Sequence, residues 1–433
     1  MVLFLPDARG LLDQTDQPQY EAEMTTSRWA LVSLVTTAVI HGLIHAYSVF
    51  LSPLNEEIRL FFGSNAISAV TAFKTSYLMV YAASNLLFGM LTNRISARMT
   101  LAAGLLVNGV AVMAFSLVAP TGIRLMHVFW IVAALGGGVY HPVANVLITR
   151  LYPHRKGWAL GITGIGASIG FAFSPLLTTL LTGVFGLTWQ PIASIFGAVG
   201  VAASVAAFFT IRDPQRLTAK HSQLNATAAR HASSNESFAG WAFVIAIIAI
   251  SGTRELAMWS TQDISDFFLL RVLGHSGTTG FFLFLLYAPG IFIQPLVGTL
   301  SDHISRTALF RAAFVTYGAA IISAPLVPAA LIWFSYLVMG ISQSAASVTG
   351  EAVIAGETTE ANRGAVFGVF FTAGIGLGSM GPVLSGGLAE LLGGTLSAFR
   401  TVFLILGAGV LLAGIAVPAA MRLARKQRRF AAQ

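Results

Sequence analysis

His41 and His45 stand four residues apart, and Ser33, Thr37, Ser48 and Ser52 extend the series at steps of three or four. That spacing puts all six on one face of a helix. A third histidine, His141, sits with Tyr140 and Asn145 in the stretch Gly136-Gly137-Gly138-Val139-Tyr140-His141-Pro142-Val143-Ala144-Asn145. Imidazole exchanges protons near neutral pH, so such a face can relay protons or hydrogen-bond a solute. Lys74, Tyr77, Tyr81 and Asn85 form a second polar series. Arg254, Glu255, Trp259, Gln262, Asp263 and Asp266 make a third. Gln294 stands alone after Tyr287, while Tyr336, Gln343, Ser347 and Glu351 line up on one further face.

Each of these residues also has a plainer use. His41 and His45 can bond neighbouring helices, and His141 can bond a carbonyl freed by Pro142. Lys74 can snorkel to a surface. Arg254 and Glu255 are adjacent and therefore point about 100° apart on a helix, which predicts that they do not face one spot. Glu255 is a candidate proton site, and His41, His45 and His141 are the others. Asp263 and Asp266 fall near a helix end and read as solvated, and Glu351 reads equally as a latch to a basic loop residue. The His41-x-x-x-His45 pair has the spacing to grip a metal, but no third ligand is near it in sequence and no H-E-x-x-H occurs, so no metal site and no cofactor are expected. No Gly-rich turn ends in Gly-Lys-Ser/Thr, which argues against an ATPase, and no enzyme signature stands out.

The elements that carry these residues are apolar. Of 433 residues, 55% are hydrophobic and 10% charged, against about 25% charged in a soluble domain. Apolar runs of about 20 residues, long enough to cross a bilayer as helices, recur roughly twelve times. The 43 glycines suit close helix packing in lipid. There is no cysteine, hence no disulfide or thiol chemistry.

The net charge of +8 fits topology better than nucleic acid. With both termini in the cytoplasm, one face collects Arg94, Arg98, Arg150, Arg155, Lys156, Arg212, Arg306 and Arg311, and the Arg422–Arg429 cluster joins them, able to touch anionic lipid. The expected layout is a polar tail over 1–27, a six-helix bundle over 28–212, a flexible linker over 213–238, a second bundle over 239–422 and a basic tail over 423–433. Trp189 and Trp333 read as interfacial anchors.

Two bundles are expected because the chain repeats. Gly89-Met90-Leu91-Thr92-Asn93-Arg94-Ile95-Ser96-Ala97-Arg98 returns as Gly298-Thr299-Leu300-Ser301-Asp302-His303-Ile304-Ser305-Arg306, nearly half the chain later. The spaced glycines Gly157, Gly161, Gly164, Gly166 and Gly170 with Pro175 return as Gly364, Gly368, Gly374 and Gly378 with Pro382. Repeats at this distance mean two copies of one large unit.

The charged turn resembles the G-x-L-x-D-R-x-G-R-x-x-L loop of the major facilitator superfamily, with Asn93 for the acid and Ser96 for the glycine in the first copy, and His303 for Arg in the second. The His41-x-x-x-His45-x-Tyr47 start, Tyr140-His141-Pro142-Val143-Ala144, Arg254 and Ser347-Val348-Thr349 resemble the fosmidomycin-resistance-like branch, which has Asp where this chain has His45. The resemblance implies an all-α polytopic membrane protein with twelve transmembrane helices in two six-helix bundles, whose helices 1, 4, 7 and 10 line a central cavity. It implies gating turns at Gly89, Asn93, Arg94, Arg98, Gly298, Asp302 and Arg306. The expected activity is secondary transport by alternating access, with protons as coupling ion, in a bacterial inner membrane, as a monomer. The expected substrate is a small organic molecule, anionic or zwitterionic, or a drug. The competing expectation is a scaffold or sensor that kept the fold.

Overall fold

The computed structural model describes residues 17–63, 67–92, 94–152, 155–212, 240–274, 277–358 and 360–431. The expected linker and the start of the N-terminal tail fall outside them. Among the described residues the structure is helical throughout. Helix 1 is Gln17–Val49, followed by a short helix Asn55–Phe61, helix 2 is Ile67–Leu91, and helix 3 is Ala97–Leu117. Helix 4 is Ile123–Gly138 continued as Tyr140–Leu151, helix 5 is Lys156–Phe185 and helix 6 is Trp189–Thr210. Helix 7 is Trp241–Leu273, helix 8 is Thr279–Tyr287 continued as Gly290–His303, and helix 9 is Arg306–Ser323. Helix 10 is Ile332–Gly356, helix 11 is Glu360–Ser379 continued as Gly381–Leu391, and helix 12 is Leu396–Ala431. Ten of the twelve are long and apolar enough to cross a membrane by length and composition. The other two are helix 2, which carries a polar series, and helix 9, the shortest.

The breaks follow proline chemistry. Pro142 has no N–H to give the carbonyl of Gly138, and helix 4 breaks at Val139. Helix 8 breaks at Ala288-Pro289, and helix 11 at Met380, just ahead of Pro382.

Helix 1 is polar inward and apolar outward. Thr37 is fully buried, while Val35 and Val39 are 51% and 53% exposed. A water-soluble helix would show the reverse; this pattern belongs to a helix whose outer solvent is hydrocarbon.

Packing repeats with the sequence. Helix 1 packs on 5, 3 on 6, 3 on 4 and 2 on 4; correspondingly 7 packs on 11, 9 on 12, 9 on 10 and 8 on 10. The halves meet through 2 on 11 and 5 on 8, two contacts that are each other's image under the same correspondence. Small residues make these approaches possible. A Cβ on Gly170 would collide with the carbonyl oxygen of Gly42, and one on Gly166 with that of Ala38. Gly157, Gly161 and Gly164 have open space there, so the spaced glycines of helix 5 are not all packing devices. Trp189, read as an interfacial anchor, is buried instead, with its backbone N–H donating to Glu57.

Candidate functional site: a cavity between the halves

A cavity of about 330 Å³ lies between the two halves. Helices 1, 2, 4 and 5 contribute His41, His45, Tyr77, Tyr81, His141, Ser168 and Phe171. Helices 7, 8, 10 and 11 contribute Arg254, Glu255, Trp259, Tyr287, Gln294, Gln343, Glu351 and Phe371. Among the described residues, helices 3, 6, 9 and 12 contribute none of the lining.

On the first wall the three histidines meet. The Nδ1 of His41 lies 2.8 Å from the carbonyl oxygen of Thr163. A carbonyl only accepts, so that nitrogen carries the proton and leaves the Nε2 lone pair of neutral His41 free. His45 Nε2 stands 3.0 Å from this lone pair and donates to it. His141 meets His41 edge-on at 4.9 Å between ring centres. Phe171 then bridges the halves, stacked on His45 at 4.2 Å and on Tyr287 at 5.0 Å.

On the second wall Arg254 pairs with its neighbour Glu255, and its Nη1 donates to Gln343 Oε1 at 3.2 Å. Their 100° separation along the helix was expected to keep them apart. The two long side chains nevertheless pair across that angle, and both line the cavity. Glu351 lines it as well, rather than only facing a loop.

Four residues expected at the site lie outside its lining. Thr37 is buried against its own helix, donating to the Ser33 carbonyl at 2.6 Å. Tyr140 donates to the Thr37 carbonyl at 2.9 Å, and its ring stacks on His41. Asn145 is exposed on helix 4. Lys74 does not snorkel: it is 6% exposed and shares with Asp263 a small void of about 20 Å³ beside the main cavity. Asp263 and Asp266 are 3% and 1% exposed, not solvated. They are buried because the halves close over them. Asn55 donates to the Asp263 carbonyl, the Glu56 backbone N–H donates to Asp266, and Gln262 donates to Ser52 at 2.9 Å. Ser68 donates to Glu390 and Gly280 N–H to Thr179 at the same end. We call this the sealed end. Phe171 and the Lys74–Asp263 void carried no signal in sequence, because neither residue type nor spacing tells which helices will close on each other.

The two charged turns lie at the opposite end. Gly89 faces Pro142 of helix 4 and Gly298 faces Val348 of helix 10, each placing a notional Cβ at 3.8 Å. Ser96 Oγ accepts from Met99 N–H and Ser305 Oγ from Ala308 N–H, so the serine at equivalent places in the repeat caps the following helix in both copies. Arg98 sits over the Phe208 ring at 5.1 Å, and Arg306 donates to the carbonyls of Ser301 and Ala352. Asn93 and the Asp302 side chain lie outside what the structure describes.

A cavity walled by equivalent helices of two repeated halves fits one family in particular, and the sequence matches it: the model of the Major Facilitator Superfamily aligns with residues 33–334 and again with 264–433. The chain belongs to the Major Facilitator Superfamily. Among superfamily relatives, multidrug resistance protein MdtG of Salmonella paratyphi C is 27% identical over 194 residues, 43% of this chain and 46% of MdtG. The uncharacterized MFS-type transporter Rv1250 of Mycobacterium tuberculosis is 31% identical over 138 residues, 32% of this chain and 23% of that one. This chain therefore spans about half, or less, of the relatives it matches. Among solved structures, a bacterial homolog of the human lysosomal transporter Spinster, inward-facing and unoccupied, aligns with a TM-score of 0.76 at 15% identity, covering 92% of this chain and 98% of that one. A D-xylose-proton symporter aligns at 0.71 and 12% identity, over 89% and 96%. At such identities the likeness speaks to the fold.

Proposed function

We propose that this superfamily transporter moves a small amphipathic organic solute, zwitterionic or cationic, by alternating access with proton coupling. One observation carries the reading. A cavity that sets a few charged and polar side chains in a largely apolar wall is built from both halves, and among the described residues the bonds joining the halves gather at one end of it. Glu351 stands five residues from the end of helix 10, about 8 Å along the axis, so the cavity reaches toward the charged turns. This is one half of a rocking cycle, with the outer end shut. The halves correspond to 28–212 and 239–422, the charged turns face the cytoplasm with both termini, and the membrane is the bacterial inner membrane. The unit is a monomer, and the fosmidomycin-resistance-like motifs favour that branch.

The substrate class follows from charge. Counted from the sequence alone, Lys74, Arg254 and the histidines outnumber the acids near the midplane, which points to an anionic or zwitterionic solute. With Lys74 outside the lining, the charged lining residues are Arg254, Glu255 and Glu351. Ionised together they leave one negative charge, which favours a positive group or a proton. Glu255 is the candidate carrier of that proton. Arg254, Glu351, Tyr287 and Tyr317 are the titratable or charged groups around it. A scaffold or sensor would have no use for charges that cost about 2.5–3.5 kcal/mol each on insertion.

The test is flux in proteoliposomes. Lipophilic cations and zwitterionic drugs are offered with and without an imposed pH gradient. Accumulation that follows the gradient, and vanishes in Glu255→Gln, supports the reading; flux indifferent to the gradient removes proton coupling, and no flux of any compound removes transport of this class.

A further inference from the structure

We infer that His41, His45 and His141 form a binding site for a borderline transition-metal dication, open to the cavity between the halves. The fold supplies the third ligand that the sequence kept a hundred residues away. One ring nitrogen from each of the three histidines can be chosen so that all lie within 4.8 Å of one another. Zinc–nitrogen bonds of about 2.0–2.1 Å place tetrahedral ligand nitrogens about 3.3 Å apart. His41 and His45 already stand at 3.0 Å, so those two rings need only a small reorientation while His141 swings inward.

His41 is oriented as a ligating histidine is. Its Nδ1–H is held by the Thr163 carbonyl, which fixes the tautomer and presents the Nε2 lone pair to its neighbours. Tyr140 and Phe171 stack on His41 and His45 and hold their ring planes. The hydrogen bond from His45 to His41 is what a cation replaces. His45 Nε2 gives up its proton, carries one on Nδ1 instead, and both Nε2 lone pairs turn to the metal.

Three neutral imidazoles leave a fourth position free, as in zinc sites that exchange a ligand. It faces the cavity, where Glu255 and Glu351 offset part of the dication's charge. Imidazole ligands with no thiolate suit zinc, cobalt, nickel or copper rather than magnesium or calcium.

The inference stands apart from transport, because it is read on the purified chain without flux. The full chain, purified without a polyhistidine tag, is titrated with Co²⁺ and followed by visible absorption, then back-titrated with Zn²⁺. The expected result is one Co²⁺ per chain with the intense bands of four-coordination, displaced by Zn²⁺. His41→Gln/His45→Gln/His141→Gln should lose those bands, whereas His127→Gln, which removes the histidine stacked on Phe73, should keep them. His45→Gln or His141→Gln alone should weaken binding at least about 10-fold, and both leave the His41–Thr163 bond intact if the triple variant does not fold. Octahedral-type spectra in the parent chain, or bands unchanged in these single variants, overturn the inference. Either result would leave the transport reading as it stands.

Discussion

Asn55 and Asp263, 208 residues apart in sequence, are joined across the two halves: the Asn55 amide donates to the Asp263 backbone carbonyl at 2.8 Å and to its carboxylate at 3.2 Å. Both residues are buried at the sealed end. A bond of this kind exists only while that end is shut, so it biases the cycle without touching the solute. Hydrogen bonds to charged groups contribute about 1.5–3 kcal/mol. Asn55→Ala should therefore raise the population open at that end by about 10- to 100-fold. The chain has no cysteine, so a single one placed at Val70, which borders the Lys74–Asp263 void but not the main cavity, reports on the sealed end without background. Maleimide should reach it faster in the Asn55→Ala protein; an unchanged rate would mean that the contact does not hold the seal.

The Arg254–Glu255 pair makes a different prediction. Removing one partner of a buried pair costs about 3–5 kcal/mol, because the other charge is left alone. Arg254→Ala strands Glu255 and Glu351 together in the cavity. It should reach the membrane, melt at a lower temperature and carry no flux. Adding Glu255→Gln should restore much of the melting temperature and none of the flux. Recovery of flux in the double variant would show that the pair is structural only.

Helix 5 separates packing glycines from spare ones. Gly170→Ala pushes a methyl against the Gly42 backbone, which cannot fold aside as a side chain can. Overpacking of this sort costs about 1–3 kcal/mol. Gly161→Ala meets open space and should be neutral. Melting in detergent checks the contrast; equal temperatures would mean that helices 1 and 5 are less tightly held than their carbonyl contacts imply.

What could be read from sequence was whatever a helix determines by itself. Periodicity put Ser33, Thr37, His41 and Ser48 on one face, and that face is buried. The repeat of Gly89 at Gly298 placed two turns that do occupy equivalent corners. Periodicity gave a face but not a partner. It could not show that His141 would meet His41, that Phe171 would bridge to Tyr287, or that Lys74 would face Asp263, because those depend on how helices from distant segments close. It also misjudged Arg254 and Glu255, since an angle between Cβ atoms says little about where long side chains end.

The Lys74–Asp263 void gives the last prediction. Helix 2 brings the ammonium and helix 7 the carboxylate to one small space, and the Lys74 Nζ lies 5.5 Å from the Trp259 ring centre. At about 20 Å³ the void holds about one water. The charges are thus compensated across the halves rather than within one. Opening the sealed end would part them, and each would then need water from outside. Lys74→Met leaves the Asp263 carboxylate unopposed and should open that end and lower stability; Asp263→Asn strands the ammonium and should do the same. The double variant removes both charges and keeps similar volumes, so it should recover stability, since an apolar or neutral replacement for a buried pair is often no worse than the pair. It should also hold the end shut more firmly than the parent chain, because no hydration of charge is gained on opening. Cysteine labelling at Val70 and detergent melting measure the two effects separately. A double variant whose losses equal the sum of the singles would show that Lys74 and Asp263 act independently.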